Sequence, residues 1–414
     1  MREMKESGIA WIGEIPKEWK IIRLRFLCDI NTGNQDTINK VDEGLYPFFV
    51  RSPKVERINT YEYDGEAVLM AGDGVGAGKV FHYYNGKFNY HQRVYNFHHF
   101  TNVIGKFLFY YMPANFINKI EEGGAKSTVD SVRLPWLKDF PVCISSLSEQ
   151  QRIATFLDEK CKEIDALIAL QEEMITELQA YKQSVISEAV TKGLAPKVAM
   201  KDSGVAWIGE IPEHWEVCKI KNIFNLKTGT TPKSYDTKSD NNNYINWFTP
   251  SDIDDTHLIL KQSQRQLAKE IADKDNICVY PKESLLLVGI GATAGKVGYL
   301  TLPGYSNQQI TALIPRRGHS KYYLYYLFIT KDIIRDNAFF TTLPIINNSY
   351  LSKIVTVCPP LPEQQAIADY LDTQCTRIDS LIALKQTKIE SLKEYKKSVI
   401  YEYVTGKKEV PATV

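Results

Sequence analysis

Residues 147–193 read LSEQQRIATFLDEKCKEIDALIALQEEMITELQAYKQSVISEAVTKG, and residues 361–407 read LPEQQAIADYLDTQCTRIDSLIALKQTKIESLKEYKKSVIYEYVTGK. Aligned without a gap, roughly half of the positions are identical, which indicates an internal repeat. Residues 5–24 (KESGIAWIGEIPKEWKIIRL) likewise return at 201–220 (KDSGVAWIGEIPEHWEVCKI). Each copy is a mixed globular segment followed by a long amphipathic helix. This approximate two-fold symmetry suits a target with two half-sites, of which DNA is the obvious candidate.

The repeat divides the 414 residues, too many for one ordinary domain, into six parts. The linker is marked by Gly193, a helix stop signal, and by Pro196. We assign the first globular segment to 1–146, the first long helix to 147–192, the linker to 193–203, the second globular segment to 204–360, the second long helix to 361–405 and a tail to 406–414. The predicted fold class is α+β, with two pseudo-repeated mixed α/β domains separated by an antiparallel two-helix coiled coil.

Composition limits the classes of protein that the chain can represent. With 50 basic and 49 acidic residues, it is not a generally basic DNA-coating protein, so a DNA reader must concentrate positive charge locally or share phosphate contacts with a partner. An apolar stretch of about 18 residues and a signal sequence are both lacking, which predicts a cytoplasmic protein without a membrane span. The seven cysteines include no CxxC pair. Cys161 and Cys375, at equivalent helix positions, are interpreted as small packing residues.

The long helices are expected to pair with each other. The first opens on a capping-box pattern from Ser148 to Gln151, and the second has Pro362, which suits a first turn. Burying the apolar stripe would stabilise both helices, and a two-fold axis across them favours an antiparallel coiled coil, interrupted at Gln171 and Lys385. The alternative is that each helix packs on its own globular segment. The stripe consists of Ile164, Leu167, Ile175, Leu178, Tyr181 and Val185, and of Ile378, Leu381, Ile389, Leu392, Tyr395 and Val399.

The globular segments show a matching pattern of strands and a buried helix. Candidate strands are Ala67–Met70, Lys79–Tyr83 and Arg93–Phe97 in the first copy and Ser284–Val288, Lys296–Tyr299 and Gln309–Ile314 in the second. A tyrosine-rich apolar run follows in each copy, at Phe107–Met112 and Tyr322–Ile329. These runs favour core helices over aromatic platforms for stacking bases.

No catalytic or nucleotide-binding motif is complete. The turn AGDGVGAGKV (71–80) lacks the first glycine and the Ser or Thr of a P-loop, and GIGATAGKV (289–297) is followed by helix breakers. The single Pro-Pro, at Pro359, does not match the tetrapeptide of DNA amino-methyltransferases. His98 and His99 have no zinc spacing and are interpreted as surface polar residues, so no metal site is expected. The chain is therefore predicted to be non-catalytic.

Polar residues stand at equivalent loop positions of the two copies. Arginine suits guanine O6 and N7, glutamine and asparagine suit adenine N6 and N7, and lysine and small hydroxyls suit phosphates or base edges. The two sets differ in chemistry, which suggests two different half-site sequences, although ordinary polar loops remain the alternative for each residue. The candidate DNA-binding residues are Lys79, Gln92, Arg93, Lys126, Ser127, Thr128, Lys296, Gln308, Gln309, Thr341, Thr342 and Asn347.

The chain resembles the specificity subunit of a type I restriction–modification system. The resemblance rests on the WIGEIPxxW openings at Trp11 and Trp207, the LxEQQxIAxxLDxxCxxID starts at Leu147 and Leu361, and the repeated order of segment and helix. It implies that each globular segment recognises half of a split, asymmetric double-stranded DNA sequence. It also implies that the helices set the gap and dock methyltransferase subunits, usually two, to which ATP-dependent restriction subunits are added.

The same resemblance places the chemistry on other subunits. S-adenosylmethionine, ATP and Mg²⁺ would be bound by the partners, which methylate adenine N6 and cut DNA, and this chain would hold no cofactor. Two alternatives remain open. One is a recognition module of a related modification enzyme that is not type I, and the other is a coiled-coil adapter that never touches nucleic acid.

Overall fold

The computed structural model describes residues 2–122, 131–233, 243–340 and 343–411, and the chain divides into two compact units. Unit 1 contains Met1–Glu173 and Lys385–Val414, and unit 2 contains Met174–Leu384. These units differ from the six-part division expected from the sequence, because each long helix contributes residues to both. Each unit is therefore made from two separate stretches of the chain.

In the described part of the first copy, nine strands precede the first α-helix, and the tenth strand lies between the second and third α-helices. The strands are β1 (Met4–Glu6), β2 (Glu14–Pro16), β3 (Lys20–Arg23), β4 (Asp29–Thr32), β5 (Tyr46–Phe49), β6 (Glu56–Ile58), β7 (Tyr63–Ala71), β8 (Phe81–Tyr90), β9 (Val94–His98) and β10 (Pro141–Ile144). The helices are α1 (Gly105–Glu122), α2 (Leu134–Lys138) and α3 (Leu147–Lys192). Six strands form one sheet in the order β4-β9-β7-β8-β5-β6, in which only β5 and β8 are parallel neighbours. In addition β1 pairs with β2, and β3 with β10.

The second copy follows a similar order with a divided sheet. Its strands are β11 (Met200–Asp202), β12 (Glu210–Pro212), β13 (Glu216–Lys219), β14 (Phe224–Thr228), β15 (Tyr244–Phe248), β16 (Ile259–Leu260), β17 (Arg265–Ala268), β18 (Leu285–Val288), β19 (Val297–Leu300), β20 (Gly304–Ser306), β21 (Ile310–Pro315), β22 (Phe339–Phe340), β23 (Pro344–Ile345) and β24 (Val355–Cys358). Its helices are α4 (Ile220–Ile223), α5 (Lys269–Lys274), α6 (Ser320–Asp336), α7 (Asn348–Lys353) and α8 (Leu361–Val404). The two larger sheets have the orders β14-β21-β18-β19-β16 and β17-β15-β20.

The predicted strands and helices of the globular segments are confirmed. The six candidate strands correspond to β7, β8 and β9 and to β18, β19 and β21, although β7 begins four residues before its predicted start and β8 ends seven residues beyond its predicted end. The two tyrosine-rich runs lie in α1 and α6, where Tyr111, Tyr322 and Tyr326 are fully buried. These aromatic rings belong to the cores of the units, as predicted, and are not available to stack on bases.

The long helices pair antiparallel within each unit. In unit 1, Lys396 of α8 donates to both carboxylate oxygens of Asp165 in α3 at 2.7 Å. In unit 2, Lys182 of α3 bonds Asp379 of α8 in the same way, at 2.7 and 2.8 Å. Position 165 corresponds to 379 and position 182 to 396 in the repeat, so the same ion pair occurs twice with the helices exchanged. The antiparallel pairing predicted from the sequence is confirmed.

Each long helix also packs its first turns on the globular segment that precedes it. The alternative prediction, that each helix packs on its own globular segment, is therefore true in part. Ile153, Leu157 and Cys161 of α3 lie in the unit 1 core, and Ile367, Leu371 and Cys375 of α8 lie in the unit 2 core. Cys161 and Cys375 are buried free thiols, which confirms their interpretation as packing residues. Elsewhere in unit 2, Cys218 and Cys358 form a disulfide between β13 and β24.

The apolar stripe of the long helices is only partly buried. Its exposed members depart from the expected seam because a helix with 3.6 residues per turn drifts away from a fixed contact line. The buried members are Ile164, Ile378, Ile389, Leu392 and Val399, and the half-buried ones are Ile175, Leu178 and Val185. The exposed members are the equivalent pairs Leu167 and Leu381, and Tyr181 and Tyr395.

The capping box predicted at Ser148 is wrong. Helix α3 already begins at Leu147, so Ser148 lies inside the first turn. It is the Oγ of Ser146 that accepts a hydrogen bond from the Glu149 amide, at 3.3 Å. Gln151 bonds a side chain one turn further along the helix and does not return to the cap.

The two repeated motifs meet in each unit. The buried Trp19 indole donates from Nε1 to Glu149 Oε2 at 3.1 Å, and the buried Trp215 indole donates to Glu363 Oε2 at 2.9 Å. Each WIGEIPxxW opening is thereby joined to the LxEQQ start of the helix that follows it. The end of the other helix, at Gly406, also lies against Trp19. Both repeated motifs therefore take part in the same kind of contact in each unit.

Candidate nucleic-acid interface

Four loops of unit 1 meet at one edge of its six-stranded sheet. The Gln92 amide donates to the Gln35 carbonyl at 2.8 Å, and the His91 amide donates to the Phe49 carbonyl at 2.9 Å. The Gly72 amide donates to the Arg93 carbonyl, also at 2.8 Å. These bonds bring together the loop after β4, the loop after β5, the glycine turn between β7 and β8, and the turn between β8 and β9. We call this surface the unit 1 loop edge.

Exposed polar side chains of the unit 1 loop edge are held in pairs. Gln92 donates from Nε2 to Asp36 Oδ2 at 2.7 Å. Arg51 bonds Asp73 at 3.1 Å, and the Nε of Arg93 lies 3.7 Å from the other oxygen of the same carboxylate. Because the two guanidiniums share one carboxylate, the group of Arg51, Asp73 and Arg93 keeps a net positive charge, and its arginines can donate to base edges or phosphates.

The pKa values of two titratable groups at the unit 1 loop edge, His91 and Asp36, are shifted by their surroundings. Burial lowers the pKa of His91, and its Nδ1 accepts the Arg93 amide at 2.9 Å, so the neutral ring carries its proton on Nε2. Desolvation raises the pKa of Asp36, but hydrogen bonds from the Ile38 amide and from Gln92 outweigh it and leave that pKa below its ordinary value. Asp36 therefore stays an acceptor that orients Gln92.

The structure places the first set of candidate DNA-binding residues as follows. Lys79, Gln92 and Arg93 are exposed on turns of the unit 1 loop edge. Between Gly72 and Lys79 the turn projects outward, and Val75 at its tip is 98% exposed. The candidates Lys126, Ser127, Thr128, Thr341 and Thr342 lie outside the described residues.

Unit 2 carries a groove of about 470 Å³ at the corresponding place. Gln309 lies in its wall, where its Oε1 accepts from Asn307 at 3.0 Å and its amide donates to Asn307 Oδ1 at 3.1 Å. Gln308, beside it, is exposed and accepts a bond from Thr231. The other polar residues of the groove wall are Thr249, Ser251, Gln264, Arg265 and Thr293. We call this surface the unit 2 groove.

The other described candidate DNA-binding residues of the second copy, Lys296 and Asn347, are less available for contact with DNA. Lys296 is half-buried at the end of the glycine turn. Asn347 caps α7, since its side-chain oxygen accepts from the Tyr350 amide at 2.8 Å. The segment of Asn347 is next to the groove, because the Ile346 amide donates to the Gly289 carbonyl at 2.7 Å. Asn347 thus has a structural role at the groove's border.

Several residues at these surfaces could not be found from the sequence. Arg51 and Asp36 in unit 1, and Gln264 and Arg265 in unit 2, come from segments distant in sequence from the candidate turns, and Asp73 lies in the 71–80 turn but was not among the candidates. The available signal was the repeat itself: Gly33 and Gly229 occupy equivalent places, and a Cβ at either would meet backbone of the opposite turn within 2.2 Å. That close approach marks loops that meet in the fold.

The chain belongs to the family of type I restriction modification DNA specificity domains, whose sequence model matches residues 16–180 and again residues 212–394. The EcoDI specificity subunit of a type I restriction enzyme from Escherichia coli is 26% identical over 390 residues, which cover 91% of this chain and 84% of that protein. The MjaVIII specificity subunit from Methanocaldococcus jannaschii is 24% identical over 425 residues, covering 95% and 93%. The two globular segments are accordingly repeated target-recognition domains of a specificity subunit.

Solved structures share the fold. A chain from a study of complex assembly and conformational transition of the type I restriction–modification system superposes with a TM-score of 0.72 at 16% identity, covering 94% of this chain and 98% of that one. The HsdS subunit from Thermoanaerobacter tengcongensis gives a TM-score of 0.53 at 15% identity, covering 95% and 98%. Among the described helices, none is both long and apolar enough to cross a membrane.

Proposed function

We propose that the unit 1 loop edge and the unit 2 groove each read one half of a bipartite, asymmetric site in double-stranded DNA. The observation that carries this proposal is that one repeated scaffold presents different polar side chains at the same turn, Gln92 and Arg93 in one copy and Gln308 and Gln309 in the other. Bidentate arginine favours guanine and bidentate glutamine favours adenine. Two copies with different chemistry therefore favour two different half-site sequences.

Phosphate contacts are proposed to come only in part from this chain. Its net charge is +1, and Arg51 and Arg93 both lie beside Asp73. Affinity for the DNA backbone grows with the number of phosphates that cations neutralise. Partner subunits with basic surfaces would supply the remainder, so binding by the isolated chain is expected to be weak and less dependent on salt than binding by the complex with its partners.

The exposed apolar residues of the long helices are proposed to dock methyltransferase subunits. Leu167 and Tyr395 stand at one level of the helix pair in unit 1, judged from the neighbouring Asp165–Lys396 pair, and Leu381 and Tyr181 are their equivalents in unit 2. The same exposed pair in each unit favours two copies of one partner. Those subunits would bind S-adenosylmethionine and methylate adenine N6, restriction subunits would bring ATP and Mg²⁺, and this chain would bind none of these three cofactors and catalyse nothing. DNA as the target favours the cytoplasm.

The long helices are proposed to set the distance between the half-sites, and matched deletions test this. Removing residues 168–174 and 382–388 takes one heptad from each helix and keeps both ion pairs in register, since the deletions fall between their members. About 10 Å of helix is lost, which corresponds to about 3 base pairs of DNA. The gap should shorten while both half-site sequences stay unchanged; changed half-site letters would refute the spacer role.

Methylome sequencing of a host that expresses this chain with its methyltransferase, and of a matched host without the chain, tests recognition directly. The proposal expects one split, asymmetric motif that appears only with the chain. A complex that retains no sequence preference among random DNA fragments would favour the adapter alternative. A split motif produced with a methyltransferase outside type I would favour a module of a related modification enzyme.

A further inference from the structure

One cluster of titratable side chains in unit 1 lies outside the unit 1 loop edge. Asp29 of β4 and His98 of β9 face each other across the strand pair, and His99 follows directly. His99 Nδ1 lies 2.9 Å from Asp29 Oδ2, and one ligand atom from each of the three residues lies within 4.8 Å of the other two. We call these residues the His-His-Asp cluster. The interpretation of both histidines as surface residues is wrong for His98.

His98 is buried without a polar partner. Its side chain is 6% exposed, and neither ring nitrogen has a hydrogen-bond partner. The ring packs 4.9 Å from that of Tyr63 and 4.4 Å from that of His99. Buried polar groups are almost always satisfied, so an unpaired imidazole directed at another imidazole and a carboxylate is an indication of a missing ligand.

The backbone holds His99 in place to complete the set. Its φ of 51° lies in the left-handed region, which residues other than glycine seldom adopt. This conformation turns the ring of His99 back towards β4, where Asp29 accepts or shares its proton. Three donors of the kinds that borderline divalent metals prefer thus converge from two adjacent strands.

We propose that Asp29, His98 and His99 bind one divalent transition metal ion of the zinc class, with water completing the coordination. Zinc takes imidazole nitrogens and carboxylate oxygens at about 2.0–2.2 Å, so its ligand atoms lie at most about 4 Å apart. Small side-chain rotations would bring the three donors to that spacing. The ion would join the edge strand β4 to β9 and would carry no reaction.

The second copy lacks this set at the equivalent positions. Asn225 corresponds to Asp29, and Ile314, its partner across the strand pair, corresponds to His98, with Pro315 following. The shared scaffold therefore does not require the cluster, and the ion would bind to the first recognition domain alone. The second copy also supplies natural replacements for the test.

The proposal can be tested by metal titration of the tag-free chain after metal ions have been removed with EDTA. Binding of Zn²⁺ is measured by calorimetry, and binding of Co²⁺ by visible absorption. We expect the parent chain to bind one metal ion per molecule. The affinity for that ion should fall at least about tenfold in Asp29→Asn, His98→Ile and His99→Ala. His257→Ala is the matched control, because it removes an exposed histidine 3.4 Å from Asp254 in unit 2. That control should bind as the parent chain does.

Thermal unfolding separates lost binding from lost folding. Asp29 and His99 are exposed, so Asp29→Asn and His99→Ala should unfold at the parent temperature in EDTA. At a hundredfold excess over Kd, Zn²⁺ should raise the parent Tm by about 5 °C and leave both variants unchanged. The proposal is overturned if the parent chain takes up no more metal than His98→Ile, or if all three variants bind as it does.

Discussion

Replacing Gly406 by alanine tests how the end of the second long helix packs on the first WIGEIPxxW motif. Gly406 has φ +73°, and a Cβ built there would lie 2.6 Å from Cδ and Cγ of Pro16 and 3.1 Å from the Trp19 ring. Both neighbours are buried, and the proline ring is rigid, so neither can move away cheaply. The substitution therefore combines backbone strain with overpacking.

The expected cost follows from these two causes. A left-handed alanine costs about 1–2 kcal/mol relative to glycine, and forcing a methyl group into a packed site costs about 1–3 kcal/mol. Gly406→Ala should thus lower the free energy of unfolding of the first unit by about 2–5 kcal/mol. Gly8→Ala is the matched control, because its φ is +74° and a Cβ there meets nothing within 4 Å.

Urea denaturation of the full chain, followed by tryptophan fluorescence, measures the difference. Gly8→Ala should show only the backbone cost of about 1–2 kcal/mol, at an unchanged m-value. The gap between the two variants reports the contact with Pro16 and Trp19 alone. Equal transition midpoints for Gly406→Ala and Gly8→Ala would refute the packing described for this helix end.

Three further outcomes are expected. Gln92→Ala and Arg93→Ala should each reduce the discrimination between bases in the first half-site by about 1–3 kcal/mol and leave recognition of the second half-site unchanged. Methylome sequencing measures both half-sites. Uniform weakening of binding on all sequences would indicate that these residues contact phosphates. Glu149→Ala leaves the buried Trp19 N–H unpaired and should cost about 1–3 kcal/mol in urea denaturation, while Glu149→Gln keeps an acceptor and should cost less; equal losses would count against the bond. Burial lowers the pKa of His91, so His91 binds a proton less readily in the folded state than in the unfolded chain. The stability of the folded chain should therefore fall as the pH drops below about 6.5. His91→Gln should flatten that part of the pH profile of Tm.

The repeat made much of this fold predictable. Two matched helices, three matched strands and one buried helix per copy followed from periodicity, because those elements are specified by local patterns that occur twice. The antiparallel pairing followed from symmetry. The helix cap at Ser146 was missed, since serines at 145, 146 and 148 all satisfy the same local rule.

The candidate site was only partly predictable. Gln92, Arg93 and Gln309 lie at or just before the starts of predicted strands, so local patterns were enough to select them as candidates. The sharing of Asp73 by two arginines depends on loops that meet through the sheet order. The burial of His98 depends in the same way on which strand lies beside β9. Local sequence patterns do not predict which loops meet or which strands are neighbours, because register and strand order are set by contacts between distant segments.

The exchanged ion pairs have a consequence for shortened forms of this chain. A polypeptide ending at residue 193 would contain both Asp165 and Lys182, which form equivalent pairs with Lys396 and Asp379. Two such polypeptides could form these pairs with each other, since each supplies the half-helix that the other lacks. The resulting homodimer would carry two identical recognition surfaces and would select a palindrome, so a truncated gene would encode a new specificity instead of an inactive fragment.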